Sequence, residues 1–261
     1  MAAERRWLDL EGAANVRDLG GLPLERGGVT ASGVLLRADN LQGLTERDVA
    51  RLVGDVGLRL VVDLRTGAEV ELEGPGPLAR DERVEIRHRS LIPEVGERTD
   101  VEVDGRLPWQ TRTLEGDPDE APAVRAYLGY LRDRPESVVA ALRDIAGAPG
   151  ATVVHCAAGK DRTGVVCALA LEAVGVEREA VIADFAATGE RLDALLARLR
   201  ASPTYAPDLE GRPTSSHVPR PETMTRVLSV LDERHGGPAA WLAAHGFTAG
   251  DRAALRRRLA G

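Results

Sequence analysis

The sequence contains one lysine, Lys160, among 34 basic residues, and arginine supplies all the others. It has only two cysteines, Cys156 and Cys167. Two cysteines cannot build a disulfide framework, which excludes the small stapled scaffolds and points to a reducing compartment. No run of 18 apolar residues occurs, so no membrane-spanning helix is expected. The opening "MAAERRWLDLEG" is charged and lacks an apolar h-region. That predicts no signal peptide and a cytoplasmic protein, with export without a recognisable signal as the alternative. There is no C-x-x-C and no tight His pair, so a zinc site is not expected. The formal net charge of −7 disfavours nucleic acid as a partner, because phosphate backbones select basic faces.

What is present is the composition of a globular protein, 43% hydrophobic and 29% charged over 261 residues. "LTERDVARLVGDVG" from Leu44 to Gly57 predicts a helix, with Thr45 as its cap and Asp48 in the capping-box position. "LRLVVDLR" follows as a buried strand, Leu58 to Leu64. The alternating "RVEIRHRSL", Arg83 to Leu91, predicts another strand. Glu94 to Glu120 is rich in Gly, Pro and charge and reads as a long loop. "PAVRAYLGYLRD" and "PESVVAALRDIAG" are two helices, each opened by proline. "ATVVHC" is a short buried strand, and a helix begins near Asp161. "REAVIADFAATGERLDALLARLR" is helical, Ser202 to Pro221 carries five prolines and reads as irregular, and the remainder is helical. Strands alternating with helices predict one α/β domain over 1–261, built on a central, mainly parallel sheet flanked by helices, with additional helices at the C-terminus.

The stretch "VVHCAAGKDRTG", Val153 to Gly164, leaves the carboxyl end of a strand and enters a helix. Backbone N–H groups and the helix dipole make such a loop an anion cradle. Gly159 and Gly164 are expected to let the backbone turn tightly and approach a ligand. Cys156 sits at the strand end, where the same field favours a thiolate. Arg162 offers a planar fork that matches two oxygens of a phosphate. Five residues separate Cys156 from Arg162, which places both side chains around one tetrahedral oxyanion. The nucleotide-binding pattern G-x-x-x-x-G-K-[ST] is excluded, because Asp161 follows Lys160 and Val154 stands where the first glycine is required.

On these residues the chain resembles the cysteine-dependent protein tyrosine phosphatases, whose signature loop is H-C-x5-R-[ST]. The form "GKDRTG" is similar to a bacterial subfamily of tyrosine and dual-specificity phosphatases, some of which act on phosphoinositides. "NVRDLGG", "GVLLRADNLQGLT", "VVDLRTGAEVE" and "AAWLAAHGFT" match the same subfamily, so the resemblance spans nearly the whole chain. It implies two-step phosphoryl transfer that needs no metal and no cofactor. The Cys156 thiolate attacks phosphorus, and water hydrolyses the phosphocysteine. Ala157, Ala158, Gly159, Lys160, Asp161, Thr163 and Gly164 join Arg162 in binding the substrate phosphate, mainly through backbone amides. Thr163 would bond the departing sulfur, and His155 would orient the loop and assist the thiolate. The implied partner is a phosphorylated protein or a phosphoinositide.

A general acid must protonate the leaving oxygen, and the "WPD" loop that many relatives use is missing. By match to the subfamily, Asp63 in "VVDLR" ranks first as that acid; Asp161 ranks second, and Asp117 and Asp119 third. Asn15, Arg17 and Asp18 are read as braces for the loop. Cys167, within "GVVCALAL", is read as core. Lys160 would reach past the bound phosphate to a second anion on the substrate. A segment at about 185–235 is the candidate lid. Two other classes fit the loop. One is a catalytically inactive phosphate- or phosphoinositide-binding module; the other is a thiol-dependent oxyanion enzyme such as arsenate reductase or rhodanese. The first would be expected to lose Cys156, Arg162 or a loop glycine, and the second needs resolving thiols or a different loop spacing.

Overall fold

The structure is a computed structural model that describes residues 6–93 and 117–261. Most of the predicted loop from Glu94 to Glu120 lies outside the described residues. Among the described residues six strands form one sheet: β1 (Arg6–Trp7), β2 (Arg17–Asp18), β3 (Leu35–Ala38), β4 (Leu58–Asp63), β5 (Glu85–His88) and β6 (Ala151–His155). Their spatial order is β1-β2-β3-β6-β4-β5. The pairs β1/β2 and β2/β3 are antiparallel, and β3, β6, β4 and β5 run parallel. The mainly parallel sheet expected from the alternating pattern is therefore present, with a short antiparallel extension at one edge.

The side-chain period of two fixes which core each residue enters. Leu60, Val62 and Val154 face one layer with Val138, Leu142, Val166, Leu228 and Leu255. Leu36, Val61 and Val153 face the other with Val16, Leu44 and Leu52. The strands β4 and β6 are covered on both faces, which is why they read as unbroken apolar runs. Helix α1 (Glu46–Ala50) has the expected capping box between Thr45 and Asp48 and continues as a wide π turn through Asp55. Helix α2 (Gly67–Glu73) has a second capping box, between Thr66 and Glu69. Helices α3 (Pro122–Asp133) and α4 (Pro135–Gly147) each start on their proline.

Helix α5 (Asp161–Val174) begins where the sequence placed it and ends on Gly175 in the left-handed conformation. The next helical stretch is broken into α6 (Arg178–Ala187) and α7 (Leu192–Ala201) by a 3-10 turn at Thr188–Arg191. The proline-rich segment is mostly irregular but contains the short α8 (Ala206–Leu209) and a 3-10 turn, Thr214–His217. Then come α9 (Pro221–His235), α10 (Pro238–Ala244) and α11 (Ala249–Ala260). Leu192, Leu195, Leu196, Leu199, Tyr205 and Leu209 form a small apolar cluster of their own, packed on Ala157 and Ala158 of the loop after β6. Among the described residues no helix is long and apolar enough to cross a membrane.

Candidate active site

Register brings the site together. Ala38 of β3 and Asp63 of β4 both align with His155 of β6, so the three strands end at one edge and Cys156 follows directly. The loop from Cys156 to Lys160 is braced from behind. Asn15 Nδ2 donates to the carbonyls of Ala158 at 3.0 Å and Gly159 at 3.3 Å. Arg37 Nη2 donates to the Gly159 carbonyl at 2.6 Å, and the Asn40 N–H to that of Ala157 at 2.9 Å. In a planar trans peptide the N–H points opposite to the C=O. Carbonyls held toward the brace therefore turn the N–H groups of Ala158, Gly159 and Lys160 the other way, as an anion cradle needs. Gly159 makes this turn at φ +63°, and a Cβ there would lie 2.2 Å from the Ala38 carbonyl oxygen.

The brace is a buried charge network. Asp184 on α6 accepts from Arg17 Nε at 2.8 Å and from Arg37 Nη1 at 2.6 Å. Arg17 also holds the Asn15 side-chain carbonyl at 2.5 Å. Asn15 thus touches the loop directly, and Arg17 acts through it. Asp18 accepts from the N–H groups of Gly20 and Gly33 and shapes the turn before β3. Gly164 is also placed differently from expectation. Its missing Cβ makes room for the Phe185 ring, which would lie 2.8 Å away, so this glycine serves helix packing rather than ligand approach.

A cavity of about 190 Å³ opens over the loop. Cys156, Ala157, Ala158, Asp161 and Arg162 line it on the loop side, and Tyr130, Leu199, Tyr205 and Leu209 are among its walls. Cys156 is a free thiol and only 2% exposed. Thr163 is fully buried, and its hydroxyl has no hydrogen-bond partner among the described residues. Lys160 lines an adjoining cavity of about 290 Å³ with Leu192, Leu195, Leu196, Arg212 and His217. Its Nζ donates to the His217 carbonyl at 3.0 Å and lies 3.7 Å from Asp161 Oδ2.

Arg162 is held by a carboxylate that no part of the signature loop contains. Glu69 on α2, wholly buried, takes both arms of the guanidinium, Nη1 at 2.5 Å and Nη2 at 2.9 Å. Burial disfavours the arginine's charge, but pairing with Glu69 more than offsets it and holds Arg162 well above its ordinary pKa. The same carboxylate accepts from the Thr66 N–H at 2.7 Å. Its sequence signal was the capping box T-G-A-E, which announces a helix start and says nothing of a second bond across the fold.

The first-ranked acid lies outside both cavities. Asp63 is buried, with its side chain 5% exposed, and it lines neither cavity. Both its oxygens accept from Arg65, at 2.6 to 3.1 Å. Burial alone would raise its pKa; the charge that His155 takes up in acid and the bonds and charge of Arg65 outweigh that and hold it well below the ordinary carboxylate range. A carboxylate so held has no proton to give at neutral pH. Burial lowers the pKa of His155 to about 4, so at neutral pH it adds no positive charge beside Cys156. Asp117 and Asp119 are exposed and do not line the Cys156 cavity. Asp161 alone of the four carboxylates lines that cavity, with about a third of its side chain exposed. Cys167 is buried in the core, and burial first of all pushes its thiol up to about 12, so it is no resolving thiol.

Comparison with known proteins agrees with this geometry. A family model described as "Tyrosine phosphatase family" matches residues 8–261. The chain belongs to the tyrosine phosphatase family. It is 27% identical over 249 residues to a tyrosine-protein phosphatase of Nostoc commune, covering 91% of this chain and 78% of that one. It is 28% identical over 266 residues to the triple specificity protein phosphatase PtpB of Mycobacterium tuberculosis, covering 90% and 92% respectively. Membership makes the chain a cysteine-dependent phosphatase, and a phosphocysteine intermediate is general to this family.

Proposed function

We propose that this chain removes phosphate from phosphotyrosine, and also from phosphoserine, phosphothreonine and phosphoinositides, with Cys156 as the nucleophile. The observation that carries this is one small cavity lined by Cys156, Arg162 and the partly exposed Asp161 carboxyl at the start of a helix. The triple specificity in the name of the Mycobacterium tuberculosis relative supports the wider substrate range. In the first step the Cys156 sulfur bonds to phosphorus, the bond to the leaving oxygen breaks, and Asp161 gives that oxygen its proton. Backbone N–H groups of the loop and the Arg162 guanidinium hold the non-bridging oxygens as charge develops on them. In the second step a water oxygen bonds to phosphorus, the sulfur departs, and the water's proton goes to the Asp161 carboxylate. The unpartnered Thr163 hydroxyl is the natural donor to the departing sulfur. Asp63 and His155, buried at the strand ends and outside the cavity, take no part in proton transfer.

Lys160 marks the edge of the phosphate cradle toward the second cavity, where another anion of the substrate would meet it. The Leu192–Leu209 cluster, seated on Ala157 and Ala158, is the core of a lid within residues 185–235 that moves to admit substrate. The working compartment we assign is the cytoplasm, on the two unpaired cysteines. The test is hydrolysis of p-nitrophenyl phosphate and a phosphotyrosyl peptide. Turnover should be blocked by vanadate, unaffected by EDTA and abolished in Cys156→Ser. Phosphate binding without turnover in the parent protein would support an inactive binding module, and turnover by Cys156→Ser would remove the mechanism.

A further inference from the structure

Asp161 is held in place by a tyrosine that never reaches the cavity. Tyr127 lies on α3, is 3% exposed, and donates its hydroxyl to Asp161 Oδ1. Its ring is fixed on two sides. Tyr130 stacks against it at 6.0 Å between centroids, and Phe185 meets it edge-on at 6.0 Å and 77°. Phe185 in turn fills the space left by Gly164 in the first turn of α5. One packed column therefore joins the phenol, the ring beneath it and the helix that starts with Asp161. Burial, and then the Asp161 charge, push the ionisation of Tyr127 well above its ordinary value, so it remains a hydrogen-bond donor throughout the working pH range.

A carboxyl whose Oδ1 accepts from a fixed phenol has its rotation restricted, and the oxygen left to carry a proton is Oδ2. Lys160 Nζ, 3.7 Å from Oδ2, is engaged with the His217 carbonyl at 3.0 Å. We propose that Tyr127 is a positioning residue for proton transfer: by occupying Asp161 Oδ1 it fixes the carboxyl so that Oδ2 delivers the proton to the leaving oxygen and recovers one from water in the second step. The Tyr127 proton itself does not move. This rests on the reading of Asp161 as the general acid, and the experiment separates the two.

The readout is leaving-group dependence. p-Nitrophenolate departs readily without a proton, whereas phenolate, the anion of a phenol of pKa about 10, needs one. kcat/KM is measured on p-nitrophenyl phosphate and phenyl phosphate for the parent, Asp161→Asn, Tyr127→Phe and the double variant. Asp161→Asn is expected to lose on the order of a hundredfold or more on phenyl phosphate and much less on p-nitrophenyl phosphate. Tyr127→Phe, which keeps the ring and its packing, is expected to lose about tenfold on phenyl phosphate, with a smaller loss on p-nitrophenyl phosphate. The double variant is expected to be no worse than Asp161→Asn alone, because the hydroxyl acts only through that carboxyl. Equal losses of Tyr127→Phe on both substrates, or losses that multiply in the double variant, would overturn the assignment and leave Tyr127 a packing residue. If Asp161→Asn itself shows no leaving-group dependence, the acid and the positioning role fall together. Thermal unfolding of each variant confirms that the comparison is made on folded protein.

Discussion

Replacing Glu69 by glutamine tests whether the phosphate-binding arginine is positioned from behind. In the parent, Glu69 gives one oxygen to each arm of Arg162, and one of those oxygens also caps α2 through the Thr66 N–H. Glutamine keeps the size and a single carbonyl. Its amide can satisfy Thr66 or one arm of the guanidinium, and its NH2 group then faces another donor. One charge-assisted bond is lost outright, and the buried guanidinium keeps its charge without a counter-charge. Truncating a buried pair costs about 3–5 kcal/mol; with one bond retained, a loss of about 2–3 kcal/mol in stability is expected. Activity should fall further than stability explains, since a fork displaced by about 1 Å no longer fits the equatorial oxygens, a penalty of roughly a hundredfold. Thermal unfolding and kcat/KM on p-nitrophenyl phosphate, with inhibition by inorganic phosphate, are the assays. The folded variant should bind phosphate more weakly and turn over more slowly. Parent-like kcat/KM, within about twofold, together with reduced stability would refute the idea that the pair orients Arg162.

Three further outcomes are expected. His155 is buried neutral with a pKa of about 4 against an ordinary 6.5, so the unfolded chain takes up its proton first and stability falls as pH drops from 6.5 to 4. This amounts to on the order of 3 kcal/mol by pH 4; His155→Gln should flatten the fall, and identical pH–stability curves for the two proteins would show that the imidazole is not the cause. Gly159→Ala should reduce turnover by about a hundredfold or more, because its Cβ strikes the Ala38 carbonyl. Gly21→Ala, equally left-handed at φ +79° but open around its Cα, should leave turnover nearly intact, and similar losses for the two would mean that backbone strain alone matters. Lys160→Ala should speed hydrogen exchange in residues 214–220 by freeing the His217 carbonyl. It should also lower kcat/KM on multiply phosphorylated lipids by about 1–3 kcal/mol more than on p-nitrophenyl phosphate; equal losses would confine the lysine to the loop's general field.

The loop and its two flanking elements were legible because local rules and global fold agree there. An apolar run must be a covered strand, a glycine-bearing turn must follow, and the spacing of Cys156 and Arg162 has few other uses. The brace was partly legible: Asn15 and Arg17 lie in "NVRDLGG", but Asp184, which pairs with Arg17 and Arg37 from α6, has the spacing of an ordinary helical acid. Glu69 and Tyr127 were illegible for a different reason. Each satisfies a local pattern completely, a capping box in one case and the apolar face of a helix in the other, so nothing was left over to signal a second contact. Asp63 misled because its position at the strand end is right for chemistry, while its use is decided by Arg65, two residues away, which folds back onto both carboxylate oxygens. The pattern of apolar residues locates the edge of the sheet; whether a side chain there is free to react depends on how its neighbours fold back on it, which no periodicity reports. The short strands β1 and β2 had too few residues for a period to register.

The central claim is that phosphate passes through the Cys156 sulfur. Rapid acid quenching of the enzyme during turnover of a phosphotyrosyl peptide, followed by peptide mass spectrometry, tests it most directly. A phosphorylated thiol on the peptide carrying Cys156 is expected, accumulating further when Asp161→Asn leaves the water of the second step without its base. Phosphate on any other residue would contradict the account, as would sustained turnover by Cys156→Ser.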